Sequence, residues 1–68
     1  MIIYTKQCLC QSRDKTRLQD LKRQYDIVEV KIVNRSKLWR EEAEKYNAQY
    51  PFYVVDEVVY PFYDWMQV

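Results

Sequence analysis

Glycine is absent from this 68-residue chain, and so is histidine; there are two prolines and two cysteines. Without glycine, every turn that needs a positive φ must use a residue with a Cβ, and no segment can approach a ligand as closely as a glycine backbone allows. Without histidine, there is no imidazole to act as general base, metal ligand or pH switch, so Ser-His-Asp and Cys-His catalysis are excluded. An excess of charge of either sign is also missing: 11 Lys and Arg against 10 Asp and Glu leave a net +1. That balance gives no basic face for nucleic acid or for an anionic membrane. No apolar run approaches the roughly 20 residues that span a bilayer, and Met1 leads straight into an apolar strand instead of the basic start of a signal peptide. Two cysteines are too few to staple a secreted miniprotein. The expectation is a cytoplasmic protein with neither nucleic acid nor membrane as partner.

What is present is a dense supply of core. Hydrophobic residues make up 49% of the chain and include seven Tyr, two Trp and two Phe. A domain this small buries only about 60% of its unfolded surface, so large aromatic side chains compensate. Residues 1–68 are read as one domain. Met1-Ile2-Ile3-Tyr4 is a first strand. Leu18, Leu21 and Tyr25 recur at three- and four-residue steps among charged residues, which predicts an amphipathic helix from about Leu9 to Tyr25. Ile27 to Val33 alternates and reads as a second strand. Ser36 is a candidate N-cap for a second helix with Trp39, Ala43 and Tyr46 on one face and Glu41 able to pair with Lys45; Asn47 ends it. Phe52 to Val55 and Val58 to Tyr60 flank Asp56-Glu57 as a hairpin whose turn is unusual in lacking glycine. Pro61 opens a short closing helix through Phe62, Tyr63, Asp64 and Trp65. The order is βαβαββ with a short C-terminal helix, an α/β chain whose first two strands are parallel across a right-handed crossover.

Chemistry concentrates at Cys8-Leu9-Cys10, between the first strand and the first helix. A helix N-terminus carries unsatisfied N–H groups and partial positive charge, which favours a thiolate there, the form that attacks disulfides. Cysteine is also a common inert core filler. Structural zinc wants four ligands, and no further Cys or His exists in the chain; Cu(I) or a cluster shared between two chains would need only two thiolates from each. No metal site is assigned. Lys6 is either a solvated lysine or a charge that stabilises the Cys8 thiolate or a substrate carboxylate. Phe62, Tyr63 and Trp65 fit core packing and Asp64 an exposed polar position, while Arg13, Lys15, Arg17, Lys22 and Arg23 read as a solvated helix face.

Taken in order, these segments resemble the glutaredoxins and the small glutaredoxin-like redoxins of the thioredoxin-like superfamily. Ile2-Ile3-Tyr4-Thr5-Lys6 is similar to the strand and lysine before that family's C-P-Y-C motif; Cys8 fits its nucleophilic cysteine. Tyr50-Pro51 is similar to its T-V-P segment, and Tyr63-Asp64-Trp65 to the region before its last helix. The resemblance implies a minimal thioredoxin-like fold and a cis proline at Pro51. It also implies a substrate site built from Lys6, Tyr50, Pro51, Tyr63 and Asp64, with Cys8 and Cys10 as catalytic dithiol. No cofactor is implied as bound; glutathione enters as a co-substrate. Two departures stand out. The motif is C-x-C, so Gln11 stands at the usual resolving position and Cys10 can resolve instead, and a bridge closed over one residue is more strained and more oxidising than one closed over two. The family's Gly-Gly is replaced by Pro61-Phe62, which weakens the case for glutathione.

The function expected is thiol-disulfide exchange on a protein disulfide or glutathione, by a monomer or weak dimer. The alternative is a degenerate, non-catalytic module of the same fold that binds a protein through the aromatic surface near Tyr50, Tyr60, Phe62 and Trp65. The small, glycine-free chain is in the style of a phage or other small genome, which would place it in a host cytoplasm.

Overall fold

A computed structural model describes residues 1–63. The chain forms a mixed four-stranded sheet with two helices: β1 (Ile2–Thr5), α1 (Ser12–Gln24), β2 (Glu29–Ile32), a 3-10 turn (Val33–Arg35), α2 (Lys37–Glu44), β3 (Phe52–Val55) and β4 (Val58–Pro61). Strand order is β2-β1-β3-β4. β1 runs parallel to β2 with Ile3 opposite Val30, and antiparallel to β3 with Ile3 opposite Tyr53. β3 and β4 form the expected hairpin. Among the described residues no helix is long and apolar enough to cross a membrane.

Because β1 is central, both of its faces are covered, and Ile3, Tyr4 and Thr5 are all buried without alternation. The sheet divides the core in two. On the α1 side Ile3, Leu21, Tyr53 and Phe62 cluster, with Leu18, Tyr25, Val28 and Val30 packed around them. On the other side Tyr4, Val33, Ala43, Phe52 and Val54 cluster beneath α2, with Trp39 and Tyr46 against them. Both helical faces read from the spacing therefore point into the core. Ser36 caps α2 as expected, its hydroxyl accepting from the Trp39 N–H at 3.4 Å.

Three boundaries differ from expectation. α1 starts at Ser12 and not near Leu9. Side chains two apart in a helix point to different sides, so Cys8 and Cys10, which are bonded to each other, have to precede it. β2 is shorter than Ile27–Val33, because Val33 leaves the strand in the 3-10 turn and is buried under α2. Pro61 does not open a helix. It closes β4 opposite Phe52, where an edge strand tolerates its missing N–H. Phe62 is fully buried, and its N–H donates to Pro51 O at 3.3 Å, so neither the predicted helix start nor a surface role for Phe62 holds. The rest of that helix, Asp64 and Trp65, lies outside the described residues.

α2 is tied to the sheet by one polar cluster. Lys31 Nζ lies 2.9 Å from Glu42 Oε2, and the Tyr4 hydroxyl donates to the same oxygen at 3.5 Å. The acidic partner fixed on α2 is therefore Glu42. The bond to Lys31 holds the Glu42 carboxyl below its ordinary value and raises Lys31 above its own; burial raises Tyr4.

A group with a depressed folded pKa contributes stability at higher pH and loses it on acidification; groups with raised values contribute below their ordinary pKa and lose it on alkalinisation. The melting-temperature gap between the parent and E42Q is thus largest near neutral pH. It closes as pH falls through and below the ordinary glutamate value of 4.5, and again as pH rises past the ordinary lysine value of 10.5. In the hairpin, Asp56 and Glu57 take φ of 50° and 66° without being glycine. Left-handed geometry costs a residue with a Cβ roughly 1–2 kcal/mol, part of which glycine returns as lost chain entropy. The D56N/E57G double variant gains about 1 kcal/mol in urea unfolding, near 4–8 °C in melting temperature for a domain of this size.

Candidate functional site

β1 ends at Thr5, and the chain enters an exposed loop that carries Lys6, Gln7 and Cys8 before Gln11 accepts the first helical hydrogen bond, from the Lys15 N–H at 3.0 Å. Two bonds anchor this loop. The Thr5 hydroxyl donates to Gln7 O at 2.9 Å, and Asn34 Nδ2, in the 3-10 turn, donates to Lys6 O at 2.9 Å. Cys8 and Cys10 form a disulfide with their Cα atoms 5.4 Å apart, within the span such a bond accepts. The Gln11 side chain makes no capping bond, so the first-turn N–H groups of α1 keep their positive end beside the cysteine loop.

The loop forms one wall of a cleft of about 370 Å³. Thr5, Lys6, Gln7, Cys8, Leu9 and Gln11 line it from the loop side, Arg13 and Asp14 from the start of α1, and Tyr50, Pro51 and Tyr63 from the opposite side. Of the expected site residues, Lys6, Cys8, Tyr50, Pro51 and Tyr63 are thereby brought together. Cys10 joins them only through its bond to Cys8 and is not part of the cleft lining. Asp64 lies outside the described residues. The Tyr50–Pro51 peptide bond is cis.

Two cation-aromatic contacts shape the mouth. Lys6 Nζ sits 5.3 Å from the centre of the Tyr50 ring, and the Arg13 guanidinium 5.7 Å from that of Tyr63. Such contacts hold long cationic side chains in place without removing their charge. The Tyr50 ring is in turn backed by Phe52, centroids 5.4 Å apart. Burial raises the Tyr50 hydroxyl above its ordinary value, with Glu44 adding to the effect and Arg40 opposing it, so the phenol is neutral at physiological pH and offers a hydrogen-bond donor.

Arg13 is exposed, as its reading as part of a solvated face requires, yet it also walls the cleft. The sequence pattern does not mark Thr5, Gln7, Leu9 or Asp14 as site residues. One signal could have found Arg13 and Asp14: a helix that begins beside the cysteine loop presents its first-turn side chains there. Among the described residues, no three His, Cys, Asp or Glu side chains converge as a metal-binding group. Compared with known proteins, the chain matches no family model, no curated protein and no solved structure.

Proposed function

We propose that this chain is a minimal thioredoxin-like module, akin to the glutaredoxins, that exchanges disulfides through Cys8 and Cys10. One observation carries the reading: Cys8 lines the cleft while Cys10, bonded to it, does not. An attacking sulfur has to meet substrate, whereas a resolving sulfur needs only to reach its neighbour. The element order and the β2-β1-β3-β4 sheet are consistent with that fold, as is the position of Tyr50-Pro51 across the cleft from the cysteine loop.

In the reducing direction, the Cys8 thiolate attacks one sulfur of a substrate disulfide. A mixed disulfide forms, and the other substrate sulfur leaves as a thiolate that takes up a proton. The Cys10 thiolate then attacks Cys8, releasing the second substrate sulfur and closing the Cys8–Cys10 bond. Two electrons have passed from the protein to the substrate. An external dithiol, or two equivalents of a monothiol such as glutathione, reopens the bond, and the same steps in reverse oxidise a substrate dithiol. The positive end of α1 and the Lys6 charge favour the Cys8 thiolate.

Protein disulfides suit the cleft better than glutathione. The Phe62 N–H is already donated to Pro51 O, and Phe62 itself is fully buried, so the segment that stands in for a glycine pair offers a ligand little backbone. The competing view, a non-catalytic binding module, loses Phe62 as a contact for the same reason and keeps Tyr50 and Tyr60.

The test is intact-mass analysis after rapid alkylation, with the protein equilibrated at stepped glutathione poise. Both thiols interconvert with the disulfide between about −320 and −180 mV. C10S accumulates a mixed disulfide at Cys8 with a substrate protein or glutathione, and C8S accumulates none. Thiols that stay alkylatable at every poise remove the dithiol mechanism and leave the binding module. Lys6→Met gives a second check: the pH midpoint of Cys8 alkylation in the reduced protein moves upward, whereas a merely solvated lysine leaves it unchanged.

A further inference from the structure

The sheet has two outer edges, β2 and β4, and they differ in chemistry. β4 ends in Pro61, which has no N–H to offer a neighbouring strand. β2 has no such block. Its segment Val28-Glu29-Val30-Lys31-Ile32 alternates apolar and charged residues symmetrically about Val30, with charges of opposite sign on the two sides. Laid antiparallel against itself, with Val30 opposite Val30, the segment sets Glu29 opposite Lys31 and Val28 opposite Ile32.

The backbone selects that register independently. Glu29 N–H donates to Met1 O at 3.0 Å and Ile27 O accepts from the Met1 ammonium at 2.8 Å, so residues 27 and 29 turn their polar groups toward β1. Alternation along a strand then turns those of Val28, Val30 and Ile32 outward. In an antiparallel ladder the residues that exchange both hydrogen bonds sit directly opposite one another. Pairing Val30 with Val30 and Val28 with Ile32 joins only residues whose donors and acceptors face away from β1.

From this double match we propose that β2 is a self-association edge whose partner is a second copy of the chain, paired across a two-fold axis into a continuous eight-stranded sheet. The two faces of the junction are unlike. On the α1 side, Val28 and Val30, partly buried against the Leu21 cluster, meet Ile32 and Val30 of the second copy and complete their burial. On the α2 side, Glu29 of the second copy meets Lys31. That ammonium has three N–H groups, and Glu42 engages it through one oxygen, so Glu29 extends an existing ion pair into a chain of three charges. Ile27, 77% exposed, comes to lie toward the 3-10 turn of the second copy and gains cover there. A four-residue edge buries less than a standard interface, which makes the dimer weak and concentration-dependent. The proposal does not depend on the cysteine chemistry.

Sedimentation equilibrium on the oxidised 68-residue chain, from about 1 μM to about 1 mM, tests it. The mass rises with concentration from 8.5 kDa toward twice that value and no further. E29K, which places lysine opposite lysine at both ends, stays monomeric over the same range. An equimolar mixture of E29K with K31E/E42K, which restores opposite charges across the edge and keeps the pair with α2, recovers the dimer. In the parent protein, hydrogen exchange slows by about tenfold at the Val28, Val30 and Ile32 amides as concentration rises, with no change at Glu29 and Lys31. A parent monomeric throughout, a dimer that survives E29K, one that falls apart on adding reductant, growth past two copies, or protection that does not select those three amides overturns the proposal.

Discussion

Burial of β1 on both of its faces is the constraint from which the rest of the architecture follows. Ile3 is wholly enclosed, and Tyr4 and Thr5 nearly so, which in a chain of 68 residues requires a helix on each side of the sheet and a strand along each edge of β1. α1 supplies Leu21 to one face and α2 supplies Ala43 to the other. With so little material, nearly every large side chain is shared between elements. Phe52 alone stands in ring contact with Tyr4, Tyr46 and Tyr50, and so connects the central strand, the turn after α2 and the wall of the cleft. Substitution at such a residue reaches the core and the site together.

The same constraint locates the cysteine loop. A strand buried on both faces ends abruptly where cover runs out, and β1 runs out at Thr5, the last buried residue before a run of exposed ones. The loop that follows is exposed but not slack, since Asn34 holds its Lys6 carbonyl from the β2 side and Thr5 holds Gln7. The cysteines thus sit on a rim whose position is set by the sheet, with charge from Lys6, Arg13 and the start of α1 around them.

Periodicity made most of this legible. The Leu18, Leu21 and Tyr25 face, the Ser36 cap and the Asp56-Glu57 hairpin follow from side-chain spacing and local hydrogen bonding, which is information a linear chain carries. The boundaries at Cys10, Val33 and Pro61 were not legible in the same way, because each is decided by a partner distant in sequence or by a covalent link. Val33 answers to α2, Pro61 to Phe52 across the ladder, and the late start of α1 to the bond between two cysteines. At the site, Cys8, Lys6 and Tyr50-Pro51 could be named from their order along the chain. Arg13 could not be placed against Tyr63, since that contact depends on how the end of β4 returns toward α1.

The turn at Asp56-Glu57 shows how this chain meets left-handed geometry with ordinary residues, as Asn47 does after α2. The strain at those three positions is a property of the native state, but leaving out glycine acts on the other side of the equilibrium. A chain in which every residue carries a Cβ explores fewer backbone conformations when unfolded. Folding then surrenders less disorder per residue, an advantage spread along the whole length while the cost stays local to a few turns. For a domain near the lower limit of independent stability, compressing the unfolded ensemble substitutes for core volume that it has no room to build.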